Sequence, residues 1–195
     1  MKPSPEAPAA PAPAPAGVAI VPTDLHHADS LRQALGSVAR ERRWLAAVEP
    51  FSEVETRAFV QWNRAAGVPL FVATLGETVL GWCDIVRLYP YPGFGHNGRL
   101  GMGVVAAWRG RGLGRSLLDH ALRAAPDAGF RRVELELYAS NVAALRLYRS
   151  RGFRTEGIKR AMRILDGKVE DVVCMSRRVG TGGPDWPTVG GQPPE

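Results

Sequence analysis

The segment 104–118 constrains the fold of this chain more than any other. It reads VVAAWRGRGLGRSLL, and it joins an apolar, strand-like run to an amphipathic helix through glycines that alternate with arginines. From Gly112 onward the apolar residues keep a helical period, and Pro126 marks the end of the helix. The sequence therefore predicts a strand–loop–helix unit with its glycines at the helix start.

This predicted loop has the properties of an anion site. The first amides of a helix lack intrahelical partners, the helix dipole adds positive charge there, and glycines let a phosphate approach the backbone. Arg109, Arg111 and Arg115 add formal positive charge. Taken alone, the pattern equally fits a turn whose glycines serve only its conformation, with solvated arginines beside it. The spacing matches neither a P-loop nor a dinucleotide-binding fold.

The loop resembles the acyl-CoA loop of the GNAT superfamily of N-acyltransferases. The family signature Gln/Arg-x-x-Gly-x-Gly/Ala is met by Arg109, Gly112 and Gly114. The resemblance implies that the loop amides hold the pyrophosphate of coenzyme A and that the preceding strand offers its backbone to the pantetheine arm. The coenzyme-binding residues implied in this part of the chain are Met102, Val104, Arg109, Gly110, Arg111, Gly112, Gly114 and Arg115.

A second motif, SNVAALRLYRSRGF at residues 140–153, follows a strand predicted over 132–138. Either of its first two residues can cap a helix, and Gly152 lies where a glycine ends one. From the residues alone, Asn141 fits a helix cap and Tyr148 a core aromatic. The segment also resembles the GNAT pattern Asn-x6-Tyr-x3-Gly-Phe. The resemblance implies that Asn141 contacts the pantetheine and that the Tyr148 hydroxyl protonates the departing thiolate.

The identity of a general base is a separate question. An amine is nucleophilic only as the free base, so a protonated acceptor needs a proton-accepting group nearby. Glu136 lies where the similar ribosomal-protein alanine N-acetyltransferases have a glutamate. Its alternation with apolar residues over 133–137 equally fits a strand with one polar face. Many family members instead have an acid where this chain has residues 97–99, NGR, and His96 and Asp84 are further candidates.

The remaining pattern predicts one GNAT domain over residues 17–179. The expected order is β-α-α-β-β-β-α-β-α-β-β, an α/β (α+β) fold with a mixed, mostly antiparallel central sheet and helices on both faces. Outside the two motifs, strands are predicted over 18–22, 69–75, 79–88, 100–105, 155–165 and 168–177, and helices over 25–47 and 52–66.

The two ends of the chain differ in composition from this domain. Residues 1–16 are rich in proline and alanine and predict a disordered arm, and residues 180–195 predict a flexible glycine- and proline-rich tail. No secretory signal or membrane-spanning run is recognisable, so a cytoplasmic protein is expected. Cys83 and Cys174 lie in strand-like runs and predict small core residues rather than a metal site or a disulfide.

The resemblance implies an acyl-CoA-dependent N-acyltransferase that uses acetyl-CoA and no metal. Direct attack by a primary amine in a ternary complex is expected, with an amino acid or other small amine as acceptor and a protein N-terminus as the alternative. The aromatic loop 89–96 either covers the acceptor or is a rigid surface turn. The formal net charge of +6 leaves a nucleic-acid-binding domain open, although coenzyme A is itself an anion. A non-catalytic acyl-CoA sensor and a homodimer formed through an edge strand are further alternatives.

Overall fold

The computed structural model describes residues 11–89 and 91–180. It contains a seven-stranded sheet with two helices on each face. The strands are β1 (Ala19–Pro22), β2 (Leu70–Leu75), β3 (Thr78–Arg87), β4 (Asn97–Val104), β5 (Arg132–Tyr138), β6 (Arg154–Leu165) and β7 (Lys168–Arg178). The helices are α1 (Ala28–Ala39), α2 (Glu53–Ala65), α3 (Leu113–Ala124) and α4 (Val142–Ser150).

The sheet splits between its fourth and fifth strands. The strand order is β1-β2-β3-β4-β5-β7-β6, and β4 and β5 are the one parallel pair of neighbours in the described sheet. These two strands pair only where residues 97–99 meet residues 132–134. Beyond that point they separate, and we call the opening the β4–β5 split. The element order and the mixed, mostly antiparallel sheet confirm the predicted fold class.

Two apolar layers hold the helices to the sheet. On one face, α3 packs Leu117 and Leu118 against the sheet, and α4 contributes Tyr148. On the other face, α1 and α2 bury a second cluster that includes Leu31 and Val60. We call these the α3–α4 face and the α1–α2 face. The split is therefore open to a different pair of helices on each side.

Local signals set the helix ends. At α2, the Ser52 hydroxyl accepts from the Glu55 N–H at 3.2 Å while the Glu55 carboxylate accepts from the Ser52 N–H at 2.8 Å, which forms a capping box. At α3, Gly112 has φ +84°, a left-handed conformation that glycine adopts without strain. Both helix starts confirm the prediction from sequence.

The first predicted helix is longer than the observed one. A short 3-10 turn at Leu25–His27 precedes α1, and α1 ends at Ala39 rather than near residue 47. Arg42 has φ +53°, which no right-handed helix can include. Residues 40–45, which we call the α1 loop, instead reach across the α1–α2 face. Strand β4 also begins at Asn97, three residues before the predicted start.

Part of the proline-rich N-terminal segment lies on the domain. The Ser116 hydroxyl donates to the Pro13 carbonyl at 3.0 Å, and the Ala12 N–H donates to the Asp119 carboxylate at 3.2 Å. Residues 11–16, predicted to be part of a disordered arm, thus contact α3. The remainder of that predicted arm and nearly all of the predicted C-terminal tail lie outside the described residues. Within the described ranges, no helix has the length and apolar character needed to cross a membrane.

Candidate active site

The loop before α3 presents unpaired backbone amides. Gly110 and Gly112 have φ +73° and +84°, and a Cβ at either position would have no atom within 4 Å. The Ser116 N–H, bonded to the Gly112 carbonyl at 3.1 Å, makes the first bond of the helix ladder. The amides of residues 113–115 precede that bond and therefore lack helical acceptors. The loop is open and positively polarised at the α3 start.

The three loop arginines differ in how their charge is used. The Arg109 guanidinium donates to the Val104 carbonyl at 2.8 Å and to both Glu41 carboxylate oxygens at 2.8 and 2.6 Å. These bonds hold the pKa of Glu41 below its usual value. No acidic side chain in the described part of the chain pairs with Arg111 or Arg115. Arg111 and Arg115 thus keep uncompensated charge, while Arg109 ties the loop to the α1 loop.

Helix α4 brings the second motif to the same face. The Asn141 side-chain carbonyl accepts from the Ala144 N–H at 3.2 Å and caps the helix. The Tyr148 ring is 6% exposed and packs edge-on against Phe153 at 5.6 Å between centroids. Burial raises the pKa of Tyr148, so its hydroxyl keeps its proton at neutral pH. The cap and the core aromatic that the residues alone allowed are both present.

The two motifs and β4 meet at Gly114. A Cβ there would lie 3.5 Å from Leu147 of α4, 3.7 Å from Met102 and 3.8 Å from Val104. These are ordinary contact distances, so the α3 start, the free end of β4 and α4 already lie side by side. The structure therefore brings together the segments that the resemblance implies for the coenzyme.

On the α1–α2 face, the split has a wall on each side. Strand register places Asp84 of β3 opposite Gly101 and Trp82 opposite Gly103. Arg99 and Glu134 form the last β4–β5 pair, so Gly101 and Glu136 are each two residues beyond it, at the same level of the split. Asp84 and Glu136 thus flank the opening from opposite sides.

The glycines of β4 make room for the β3 side chains. A Cβ at Gly101 would lie 2.8 and 3.0 Å from the two carboxylate oxygens of Asp84, and a Cβ at Gly103 would overlap the Trp82 ring. The Asp84 carboxylate therefore lies over Gly101 and reaches toward the split. Neither glycine stood out as a candidate site residue from the sequence. Their alternation within a strand was the available signal, because glycine inside a strand marks a close approach of other atoms.

The two flanking carboxylates have different surroundings. Glu136 accepts from Lys159 Nζ at 2.6 Å and lies 3.3 Å from the Arg99 guanidinium. The bond to Glu136 raises the pKa of Lys159. Asp84 is 8% exposed, and it has no hydrogen-bond or ion-pair partner among the residues that the structure describes. Burial raises the pKa of Asp84 to about 7.

The α1 loop covers the split on the α1–α2 face. From the loop, Glu41 reaches Arg109 beside β4. On the far side, the Arg42 guanidinium donates to both oxygens of Asp166 at 2.9 and 2.8 Å, and the Tyr138 hydroxyl donates to the Leu45 carbonyl at 3.5 Å. The loop is thus attached to both halves of the sheet.

Comparison with known protein families identifies the family of this chain. Residues 37–153 match the Acetyltransferase (GNAT) family. The chain belongs to this family. It is an acyl-CoA-dependent N-acyltransferase, as predicted, and the names of its relatives agree with the assignment.

Two relatives and one solved structure illustrate the range of the match. The chain is 33% identical over 144 residues to the N-alpha-acetyltransferase RimI of Mycobacterium tuberculosis, covering 68% of this chain and 85% of RimI. It is 28% identical over 113 residues to the L-amino acid N-acyltransferase MnaT of Escherichia coli, covering 56% and 66%. The structure of yncA, a putative acetyltransferase from Salmonella typhimurium with its cofactor acetyl-CoA, superposes with a TM-score of 0.80 at 19% identity, covering 85% of this chain and 96% of that one.

Some candidates from the sequence lie away from the split of this GNAT domain. The His96 carbonyl accepts from the Arg131 N–H at 2.9 Å, at the end where β4 and β5 are still paired. His96 is five residues, or about 16 Å along a strand, from Gly101. The aromatic loop that ends at His96, described except for residue 90, lies at this same end. Cys83 is a buried core thiol and Cys174 is partly buried, and both are free.

Proposed function

We propose that this GNAT protein transfers an acetyl group from acetyl-CoA to the primary amine of a small molecule, by direct attack in a ternary complex. The observation that carries the proposal is the β4–β5 split. An open, positively polarised loop lies on its α3–α4 face, and two carboxylates flank it on the α1–α2 face. We call these the donor side and the acceptor side.

On the donor side, each group has a distinct task. The amides of residues 110–115 bind the pyrophosphate, and the free charges of Arg111 and Arg115 add to their attraction. Met102 and Val104 offer backbone groups to the pantetheine, since β4 has no ladder partner on its β5 side beyond Arg99. The side-chain NH₂ of Asn141, which the helix cap does not use, donates to the same arm. The Arg109 side chain fixes the loop through Glu41.

The reaction needs one proton donor and one proton acceptor. The amine nitrogen attacks the thioester carbonyl carbon, the C–N bond forms, and the C–S bond breaks. Tyr148 gives its proton to the departing thiolate, for which a hydroxyl with a raised pKa is always in the correct form. The resemblance implies Glu136 as the proton acceptor, but its carboxylate is already paired with Lys159 and Arg99.

The α1 loop, which covers the acceptor side, favours a small acceptor. The α1 loop is attached to Arg109 on one side and to Asp166 on the other, so an acceptor has to fit beneath it. Arg99 and Lys159 bring two positive charges against the single charge of Glu136, which leaves one cation for a carboxylate. An amino acid satisfies both conditions, and the activity in the name of MnaT agrees. A protein N-terminus is the second candidate, favoured by the name of RimI.

Two measurements test this function. Acetyl-CoA at a hundred times its dissociation constant should stabilise the fold by about 2.7 kcal/mol, measured as a thermal shift. An amine panel of amino acids, simple amines and short peptides, followed by thiol release, should show turnover with the amino acids. Turnover confined to peptides would select the second candidate. No thermal shift at millimolar acetyl-CoA would overturn the transferase proposal.

A further inference from the structure

Asp84 is a buried carboxylate with no described partner beside a reactive opening. Its side chain is on β3, one strand away from the split, and its oxygens lie over the backbone of Gly101. Adjacent strands lie about 4.8 Å apart, so the carboxylate needs to reach across only β4. A buried charge without a partner is costly, and such groups concentrate at functional sites.

The other carboxylates near the split are already paired. Glu134 is paired with Arg132, and Glu136 is held by Lys159 and Arg99. These pairs leave Asp84 as the flanking carboxylate free to meet an ammonium group.

We propose that Asp84 is the acceptor-side catalytic residue, binding the ammonium group of the acceptor and removing its proton before attack. The proposal rests on the proposed acetyl transfer. In this step an N–H bond of the ammonium breaks, the proton moves to an Asp84 oxygen, and the freed electron pair attacks the thioester carbonyl. The proton then leaves to solvent as the product departs. Glu136 acts as a positioning residue that holds Lys159 and Arg99 toward the acceptor's carboxylate.

The groups around Asp84 agree with this role. Burial alone raises its pKa, and no cation counteracts the shift. Two other titratable groups, Cys83 and Tyr148, interact electrostatically with Asp84, and burial keeps both of them neutral. The nearest residues of β2 and β4 are Leu70 and Gly101. The remaining charged group on the facing strand, Arg99, is engaged by Glu136, and α1 and α2 contribute Leu31 and Val60 to the apolar cluster on this face.

The decisive experiment compares Asp84→Asn with the wild type. General-base catalysis contributes about 10²–10⁴-fold, so kcat/KM for the best acceptor of the panel should fall by that factor while acetyl-CoA binding stays unchanged. In the wild type, kcat/KM should rise with pH through an inflection near the pKa of Asp84. The variant should lose that inflection and follow only the titration of the amine.

A second variant reaches the same carboxylate without removing it. A methyl group at Gly101 would lie 2.8 Å from the Asp84 carboxylate, so Gly101→Ala has to displace it. We expect the same loss of kcat/KM with acetyl-CoA binding retained. Glu77→Gln, an exposed carboxyl-to-amide change in the turn before β3, is the matched control and should leave the rate unchanged.

The outcomes separate the two proposals. An enzyme that acetylates no amine in the panel overturns both the acetyl transfer and the role of Asp84. An active enzyme in which Asp84→Asn stays within about threefold of the wild type overturns the Asp84 assignment alone. If Glu136→Gln loses the pH inflection and Asp84→Asn keeps it, Glu136 is the base. A Glu136→Gln variant that raises the acceptor KM with little change in kcat supports its positioning role.

Discussion

The two sides of the β4–β5 split are assembled from the chain in opposite ways. The donor side comes mainly from two contiguous segments, 102–115 and 141–148, in which each residue's neighbours in sequence are its neighbours in space. The acceptor side brings together β3, β4, β5, β6 and the α1 loop, which are up to 124 residues apart at the Arg42–Asp166 pair. A site built from contiguous segments leaves a recognisable sequence motif, whereas a site built from distant elements leaves only scattered residues in the sequence.

The largest expected effect is on the donor side. Tyr148→Phe removes the hydroxyl but keeps the buried ring, so kcat should fall by about 10²–10⁴-fold while the acetyl-CoA dissociation constant stays the same. Thiol-release kinetics and calorimetry measure the two quantities. Tyr91→Phe, at an exposed tyrosine of the distant aromatic loop, is the control and should keep full activity. A Tyr148→Phe variant with normal kcat would show that the donor-side motif does not supply the acid.

The next effect concerns the cost of keeping Asp84 unpaired. Its pKa is raised from 3.8 to about 7, so the native state holds the proton more tightly than the unfolded state does. This contribution to stability is fully present below about pH 4 and is lost as the pH rises through 7, and it amounts to about 4 kcal/mol. Asp84→Asn should therefore gain stability over the wild type as the pH rises from about 4 to 7, measured by urea unfolding. Equal stability at every pH would place Asp84 in a solvated or paired environment.

A charge on the donor side should produce a smaller effect. Gly114→Glu puts a carboxylate in the first turn of α3, where it suits the helix dipole but repels a pyrophosphate. We expect the acetyl-CoA dissociation constant to rise at least about tenfold, which corresponds to 1.4 kcal/mol. Gly114→Ala is the matched control, because its methyl group meets ordinary contact distances. Unchanged affinity in the glutamate variant would locate the pyrophosphate elsewhere.

The smallest expected effect concerns the ion pair that attaches the α1 loop to the acceptor side. Arg42 and Asp166 are 40% and 56% exposed, and such surface pairs contribute little to stability. Arg42→Gln should raise the acceptor KM by about two- to fivefold, leave acetyl-CoA binding unchanged, and lose its effect in high salt. The reversed pair, Arg42→Asp with Asp166→Arg, should restore the KM. An Arg42→Gln variant that gains peptide substrates would show that the α1 loop limits the size of the acceptor.

The sequence alone predicted the fold and the two motifs that meet at Gly114, because their signals are local. Capping residues, the Asp166–Gly167 turn and the glycines before α3 act on their immediate neighbours. The end of the first helix was predicted wrongly, since tertiary bonds of Glu41 and Arg42 hold the loop that replaces its last turns. These partners lie far along the chain, so helical periodicity could not reveal them.

The acceptor side was harder to predict for the same reason. Glu136 and Asp84 both appeared among the candidate bases, but nothing in the sequence showed that cations surround the first and that burial isolates the second. That difference depends on strand register, which places Lys159 beside Glu136 and Gly101 beside Asp84. The alternating glycines of β4 were visible, yet their use became clear only once Trp82 and Asp84 were placed over them.

The double attachment of the α1 loop has a thermodynamic consequence. One attachment, Glu41 to Arg109, belongs to the donor loop, and the other, Arg42 to Asp166, belongs to the acceptor side. If bound acetyl-CoA alters the first attachment and thereby changes the affinity for the amine by some factor, the amine must change the affinity for acetyl-CoA by the same factor. The six residues of the α1 loop thus connect the affinity for acetyl-CoA with the affinity for the amine.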